Sequence, residues 1–119
     1  MVTFRIERLN REFLRLIADI LANRLKNDAV SGVVLTQVDC SRDLGHAKVY
    51  YTLLNDDRKE EAGKALEAFS GKIRGFLGRE MHIRQIPELR FIYDDSERKA
   101  RDIEALIDRV IEEDTYGKK

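Results

Sequence analysis

The stretch "GKIRGFLGRE" (71–80) sets Lys72, Arg74 and Arg79 among Gly71, Gly75 and Gly78. Cations separated by residues without side chains suit one chemistry: neutralising phosphates while another backbone comes close. On a helix turning about 100° per residue, Gly75 lies at about +40° and Gly78 at about −20° from Gly71, so the three share one narrow stripe. Lys72 and Arg79 border the stripe on one flank and Arg74 on the other. Phe76 and Leu77 lie opposite, with Ile73 between them. A local explanation competes with this one. Gly71, beside Ser70, would let the helix bend, Gly78 would be its left-handed C-terminal cap, and Gly75 would be tolerated. An interior glycine otherwise costs about 1 kcal/mol relative to alanine.

A second set of cations lies near the N-terminus. Residues 4 to about 26 read as an amphipathic helix, with Thr3 as N-cap. Ile6, Leu9, Phe13, Leu16, Ile17, Ile20 and Leu21 fall on one face, and Arg5, Arg8, Arg11 and Arg15 fall on the other. Glu12 and Asp19 stand four residues after Arg8 and Arg15, so the bland reading of this face is a solvated surface with weak ion pairs. Arg5 and Arg11 have no such partner in the helix.

The elements that must position these groups follow from the hydrophobic pattern. "NDAVSG" (27–32) reads as a loop. "VVLTQVDCS" alternates, with Val34, Thr36, Val38 and Cys40 on one side, and "HAKVYYTLL" alternates with Ala47, Val49, Tyr51 and Leu53 inward. The turn "RDLG" joins them as an antiparallel pair. Asp56 or Asp57 caps the next helix, which runs to about Met81. After Pro87 a third strand carries Leu89, Phe91 and Tyr93 inward. Ser96 caps a last helix with Ile103, Leu106, Ile107, Val110 and Ile111 on one face. The order is that of an α+β domain with a three-stranded sheet covered by helices.

The totals bound the possibilities. The chain has 119 residues, 43% hydrophobic and 37% charged, which implies one domain with one core. Its 22 basic and 22 acidic side chains cancel, yet they are unevenly spread. Residues 1–27 and 71–90 are each net +3, and residues 28–70 and 91–119 are each net −3. The sequence contains no phosphate loop and no zinc-protease signature. His46 and His82 lack metal-ligand spacing and read as strand-end or surface residues. Asp94 and Asp95, adjacent at a strand end, read as helix caps rather than an acid–base pair. The single Cys40 excludes an internal disulfide and reads as a small buried hydrophobe. No apolar run approaches a membrane span of about 20 residues, and the N-terminus has no signal-peptide core. These observations predict a non-enzymatic protein without metal or cofactor, in the cytoplasm or another reducing compartment.

Three motifs in order resemble the ribosome-binding factor A family, from Arg5 to about Leu106. "VDCSRDLGHAKVYYTLL" (38–54) looks like its central Ser-x-Asp-Leu and His-Ala-x-Val-Tyr segment. "IRGFLG" (73–78) looks like its Ile-Arg-x-x-Leu-Gly, and "RQIPELRFIYDDS" (84–96) like its Arg-x-x-Pro-Glu-Leu-x-Phe-x-x-Asp-Asp-Ser. The resemblance implies a type II KH-like fold: helix, strand, strand, helix–kink–helix, strand, and an extra C-terminal helix. A single domain would span 1–119, with a core at 4–95, the C-terminal helix at 96–114 and a frayed tail at 115–119. The family's Ala-x-Gly kink falls on Phe69, Ser70 and Gly71, so phenylalanine replaces its alanine. "NDAVSG" also departs from its usual Asp-Pro-Arg after Asp28.

The resemblance further implies a monomeric, cytoplasmic factor with no membrane partner. It would bind the free small (30S) ribosomal subunit and 16S rRNA, assist late maturation and 5′-end processing of that RNA, and support growth in the cold. An assembly GTPase would help release it. On this reading Arg5, Arg8, Arg11, Arg15, Lys72, Arg74, Arg79 and Arg84 form the RNA-facing surface, and Ser70, Gly71, Gly75 and Gly78 supply the kink and close backbone approach. Two other readings stand: a KH-like module for free single-stranded RNA, and a protein-interaction module whose glycine stripe receives a helix. "GFLG" matches the bare KH GxxG pattern, but Phe76 and Leu77 keep the core phase of a helix.

Overall fold

A computed structural model describes residues 2–54, 56–96 and 103–108. Three strands, β1 (Val33–Cys40), β2 (His46–Leu53) and β3 (Glu88–Tyr93), form one sheet in that order. β1 and β2 are an antiparallel hairpin, and β3 runs parallel to β2, with His46 opposite Glu88 and Tyr51 opposite Tyr93. A parallel neighbour cannot be reached by a tight turn, so the connection from β2 to β3 is a long helix. That helix is α2 (Lys59–Glu80), and it shares the inner sheet face with α1 (Val2–Asp19). The α+β order expected of the KH-like arrangement is therefore present.

One cluster of apolar side chains joins all the layers. Phe13 and Ile17 of α1, Ala47 and Val49 of β2, and Leu66, Ile73 and Leu77 of α2 have no exposed surface. Leu9, Ile20, Leu21, Val38, Cys40 and Tyr51 are buried around them, while Ile6 and Leu16 are half-buried. Gly63 lets α2 approach β2: a Cβ there would stand 3.2 Å from the Tyr51 hydroxyl. Asn10 adds a polar staple, its Oδ1 accepting from the Cys40 backbone N–H at 2.8 Å.

Several local expectations are corrected. α1 begins at Val2, so Thr3 lies inside the helix rather than capping it. The regular helix stops at Asp19, and a π-helical turn carries the chain over Ile20–Arg24, closed by Leu25 N–H donating to Ile20 C=O at 2.8 Å. In β1 the register slips between Leu35 and Gln37. The extra residue of this bulge inverts the alternation, so Val33 and Leu35 pack inward with Val38 and Cys40, while Val34 and Thr36 are exposed. Asp56–Arg58 form a 3-10 turn, and Arg58 takes the cap position of α2 without a side-chain cap bond.

The kink expected at Ser70–Gly71 does not interrupt α2, which is one unbroken helix of 22 residues. Ala62, Leu66, Phe69, Ile73, Phe76 and Leu77 keep helical phase across the site, so apolar burial continues on both sides of it. Gly78 is also not a left-handed cap: no described glycine has positive φ, and α2 continues to Glu80 before Met81 turns extended. The "GFLG" residues are thus helical, as their core phase required.

Asp94 orders the end of β3. Its Oδ2 accepts from the Thr36 hydroxyl at 2.8 Å and its Oδ1 from the Ser96 N–H at 2.9 Å. Residues 103–108 are helical, with Ile103, Leu106 and Ile107 each more than half exposed. The rest of the expected 96–114 helix and the 115–119 tail lie outside the described residues.

Burial, and then the neighbouring Asp39 charge, push the Cys40 thiol up to about 11. The thiolate is the reactive form. Alkylation by iodoacetamide at mildly alkaline pH, followed by mass spectrometry, is expected to be more than about tenfold slower in the native protein than in the urea-unfolded chain.

Candidate nucleic-acid interface

The four α1 arginines, Arg5, Arg8, Arg11 and Arg15, are all exposed. The ion pairs that spacing alone offers them do not form: neither Arg8–Glu12 nor Arg15–Asp19 is among the salt bridges of the described residues. Asp19 accepts instead from the Asn23 side chain at 2.7 Å. The α1 arginines therefore make no direct pairs with the carboxylates beside them.

The structure sorts the eight expected cations into different surroundings. Arg5 and Arg8 meet Arg84 and His82 around a groove of about 320 Å³ that also touches Leu9, Leu44 and Ile83. Arg15 lines a smaller groove between α1 and α2 with Arg24, Phe76 and Glu80. Arg79 lies along its own helix, its Nε donating to Gly75 C=O at 3.3 Å and its guanidinium 5.0 Å from the Phe76 ring centre. Arg24 approaches the same ring at 5.8 Å and pairs with Glu80 at 3.4 Å. Arg11 and Lys72 are exposed and line neither groove.

Arg74 belongs to the fold instead. Its Nε donates to Pro87 C=O at 3.0 Å and its Nη2 to Ile86 C=O at 2.9 Å. The forked guanidinium holds two carbonyls of the loop that leads into β3, a task that its planar geometry suits. Among the eight expected cations Arg74 is the one whose guanidinium is tied to a distant segment of the fold. A helical wheel sets Arg74 rightly at the edge of the glycine stripe, but cannot show that the chain returns there.

The glycine stripe is open. Gly71, Gly75 and Gly78 are all exposed, and a Cβ would meet nothing within 4 Å at Gly71, only the end of Arg79 at Gly75, and Ile86 at 3.8 Å at Gly78. No packing demand of the described fold therefore requires glycine at these three positions.

Two residues of this surface are not evident from spacing. His82 stands alone in the sequence, but joins Arg5 and Arg8 once α2 ends against α1. Arg24 is hidden because a regular helix sets it about 180° from Arg15. In the π turn the residue five positions on comes round beneath its predecessor, so Arg24 falls under Asp19 and beside Arg15.

The β1–β2 turn that contributes Leu44 is unusual. Leu44 has φ of +57°, a left-handed conformation costing a non-glycine residue about 1–2 kcal/mol. A set of hydrogen bonds holds it. Leu44 N–H donates to Ser41 C=O at 3.0 Å, Gly45 N–H to Asp43 Oδ1 at 2.9 Å, and the Ser41 hydroxyl to the same oxygen at 2.7 Å. His46 N–H donates to Ser41 Oγ, and Glu88 N–H to Gly45 C=O. The Gly45 N–H, and then the Ser41 hydroxyl, hold the Asp43 carboxyl below its usual range. Among the described residues no group of three or more His, Cys, Asp or Glu side chains could hold a metal ion, and no helix is long and apolar enough to cross a membrane.

A helix-backed mixed sheet carrying one cation-lined groove and a second of mixed charge, where Asp19 and Glu80 face Arg15 and Arg24, defines the class: a small α+β domain with exposed arginines along its first helix. The family model for ribosome-binding factor A matches residues 5–107, and the chain belongs to that family. The ribosome-binding factor A of Pseudomonas syringae pv. syringae is 37% identical over 113 residues, covering 92% of this chain and 82% of its own. That of Thioalkalivibrio sulfidiphilus is 38% identical over 111 residues, covering 92% and 86%. Among solved structures, the crystal structure of ribosome-binding factor A from Thermus thermophilus superposes with a TM-score of 0.68 at 22% identity, covering 74% of this chain and 93% of its own. A Thermotoga maritima putative ribosome-binding factor A, solved by NMR, gives 0.64 at 28%, covering 78% and 90%. A Thermus thermophilus homology model fitted into a cryo-electron microscopy map of a 30S–RbfA complex gives 0.62 at 21%, covering 72% and 91%.

The differing duties of the cations separate in a stability measurement. Arg74→Ala is expected to lower the unfolding free energy by about 1.5–3 kcal/mol, the range for hydrogen bonds to a charged group. Lys72→Ala and Arg11→Ala are expected to stay within about 0.5 kcal/mol of the parent protein in urea unfolding.

Proposed function

We propose that this protein is an assembly factor for the small ribosomal subunit, binding the free 30S particle through 16S rRNA. In this reading it assists late maturation and 5′-end processing of that RNA, supports growth in the cold, and acts in the cytoplasm as a monomer. It binds rather than catalyses, needs no cofactor, and leaves with the help of an assembly GTPase. Family membership supports the ribosomal partner, together with the fold shared with the Thermus thermophilus model placed in a 30S–RbfA complex.

The observation on this chain that carries the reading is the α1 face. Arg5, Arg8, Arg11 and Arg15 are exposed, and none makes a side-chain hydrogen bond or ion pair among the described residues. Unneutralised cations along one helix attract a phosphate backbone and release its counterions. Arg79, Arg84 and Lys72 extend the same chemistry, while Gly71, Gly75 and Gly78 leave room for a close backbone. Such an interface positions the protein on an RNA shape rather than reading its sequence.

Co-sedimentation with isolated small subunits, large subunits and whole ribosomes across a salt series tests the reading. Selective, salt-sensitive pelleting with small subunits is expected. Replacing Arg5, Arg8 and Arg15 together by alanine should flatten the slope of log K against log salt by about 0.7–0.9 for each phosphate no longer neutralised. Equal pelleting with both subunits, or an unchanged slope in the triple variant, would count against it.

A further inference from the structure

The groove shared by α1, the β1–β2 turn and the segment after α2 has more structure than backbone binding needs. Leu9 is buried, and Leu44 and Ile83 are half-buried against the core, so together they make an apolar floor. Arg5, Arg8, His82 and Arg84 are exposed around it. None of these four makes a side-chain hydrogen bond or ion pair with the described residues. A site for phosphate alone would not require an apolar floor. Its volume of about 320 Å³ is at the small end of ligand pockets, which run from about 300 to 1,000 Å³.

We propose that this groove holds one unstacked nucleotide of single-stranded RNA, its base on Leu9, Leu44 and Ile83 and its flanking phosphates on Arg5, Arg8 and Arg84. The inference rests on the RNA-binding reading above and narrows it to one nucleotide. Apolar side chains can pack against an extruded base, guanidinium planes accept its face, and the guanidinium fork matches phosphate oxygens. Three cations round so small a floor suit the two phosphodiesters that flank a nucleotide. The left-handed Leu44, held by the hydrogen bonds of its own turn, places an apolar side chain among the arginines of the groove.

The test compares a single-stranded trinucleotide with its fully abasic counterpart, which carries the same backbone charge. Binding is followed by amide chemical shifts of the full chain. Shifts are expected at Leu44, Gly45, Ile83 and Arg84, with the intact trinucleotide binding roughly tenfold more tightly than the abasic one, through apolar burial of its base. Leu44→Asn keeps the charge and tolerates the left-handed backbone. It should bring the two affinities within about twofold while leaving abasic binding unchanged. Equal affinity of the parent protein for both probes, shifts confined to other surfaces, or equal competition by an acidic peptide would overturn the pocket. Co-sedimentation of the same samples separates the two levels. Pelleting with small subunits without base preference overturns the nucleotide pocket alone, and absence of both overturns the assembly-factor reading with it.

Discussion

Ala47 and Val49 on the inner side of β2 must be covered, and α1 and α2 are the helices that cover them. A three-stranded sheet has a single inner face of limited area, so both helices must share it. That constraint fixes which side of each helix is free. α1 turns Phe13 and Ile17 down and leaves its arginines out, while α2 turns Leu66, Ile73 and Leu77 down and leaves its glycines out. The cationic surface is thus a by-product of core burial, set by the phase of two apolar stripes.

Two polar devices adjust this frame at its edges. Arg74 grips the carbonyls of Ile86 and Pro87, fixing where the chain enters β3 after its long crossover. At the same end, Asp43 and Ser41 hold the turn that forces Leu44 into a left-handed conformation, and Gly45 C=O receives Glu88 N–H from the start of β3. Neither device is in the core, where no described polar side chain is buried. They act at the rim, where the fold must hold loops against solvent and where a partner would arrive.

Charge behaves in the same layered way. The formal total is zero, so long-range attraction to RNA cannot come from the molecule as a whole. The two segments of net +3 meet instead, since Arg5 and Arg8 share a groove with Arg84, and Arg15 and Arg24 share one with Phe76. The Arg24–Glu80 and Arg58–Glu61 salt bridges and the His46–Glu88 contact are all exposed, and such pairs are worth little to stability. The charge density of this chain therefore shapes where it can bind more than how firmly it folds.

Much of this is legible in the sequence, because periodicity reports burial directly. The amphipathic first helix, the hairpin, the inward Ala47, Val49 and Tyr51 of β2, the inward set of β3 and the helical state of "GFLG" all follow from apolar spacing at 3.6 or 2 residues, while Leu53, also expected inward, lies outside the core cluster. The motifs carry the family. What spacing cannot carry are departures from ideal geometry: the bulge between Leu35 and Gln37, which turns Val34 and Thr36 outward, and the π turn, which brings Arg24 beside Arg15. A wheel assumes a constant twist, and both are local changes of twist. Residue type alone makes Gly71 a break and Gly78 a cap, yet helical burial on both sides carries α2 through them. Only the tertiary structure decided which cations are free. Arg74 and Arg79 look alike in the sequence, but Arg74 meets the carbonyls of Ile86 and Pro87, which return to it only when the sheet is covered, whereas Arg79 stays against Gly75 and Phe76 of its own helix.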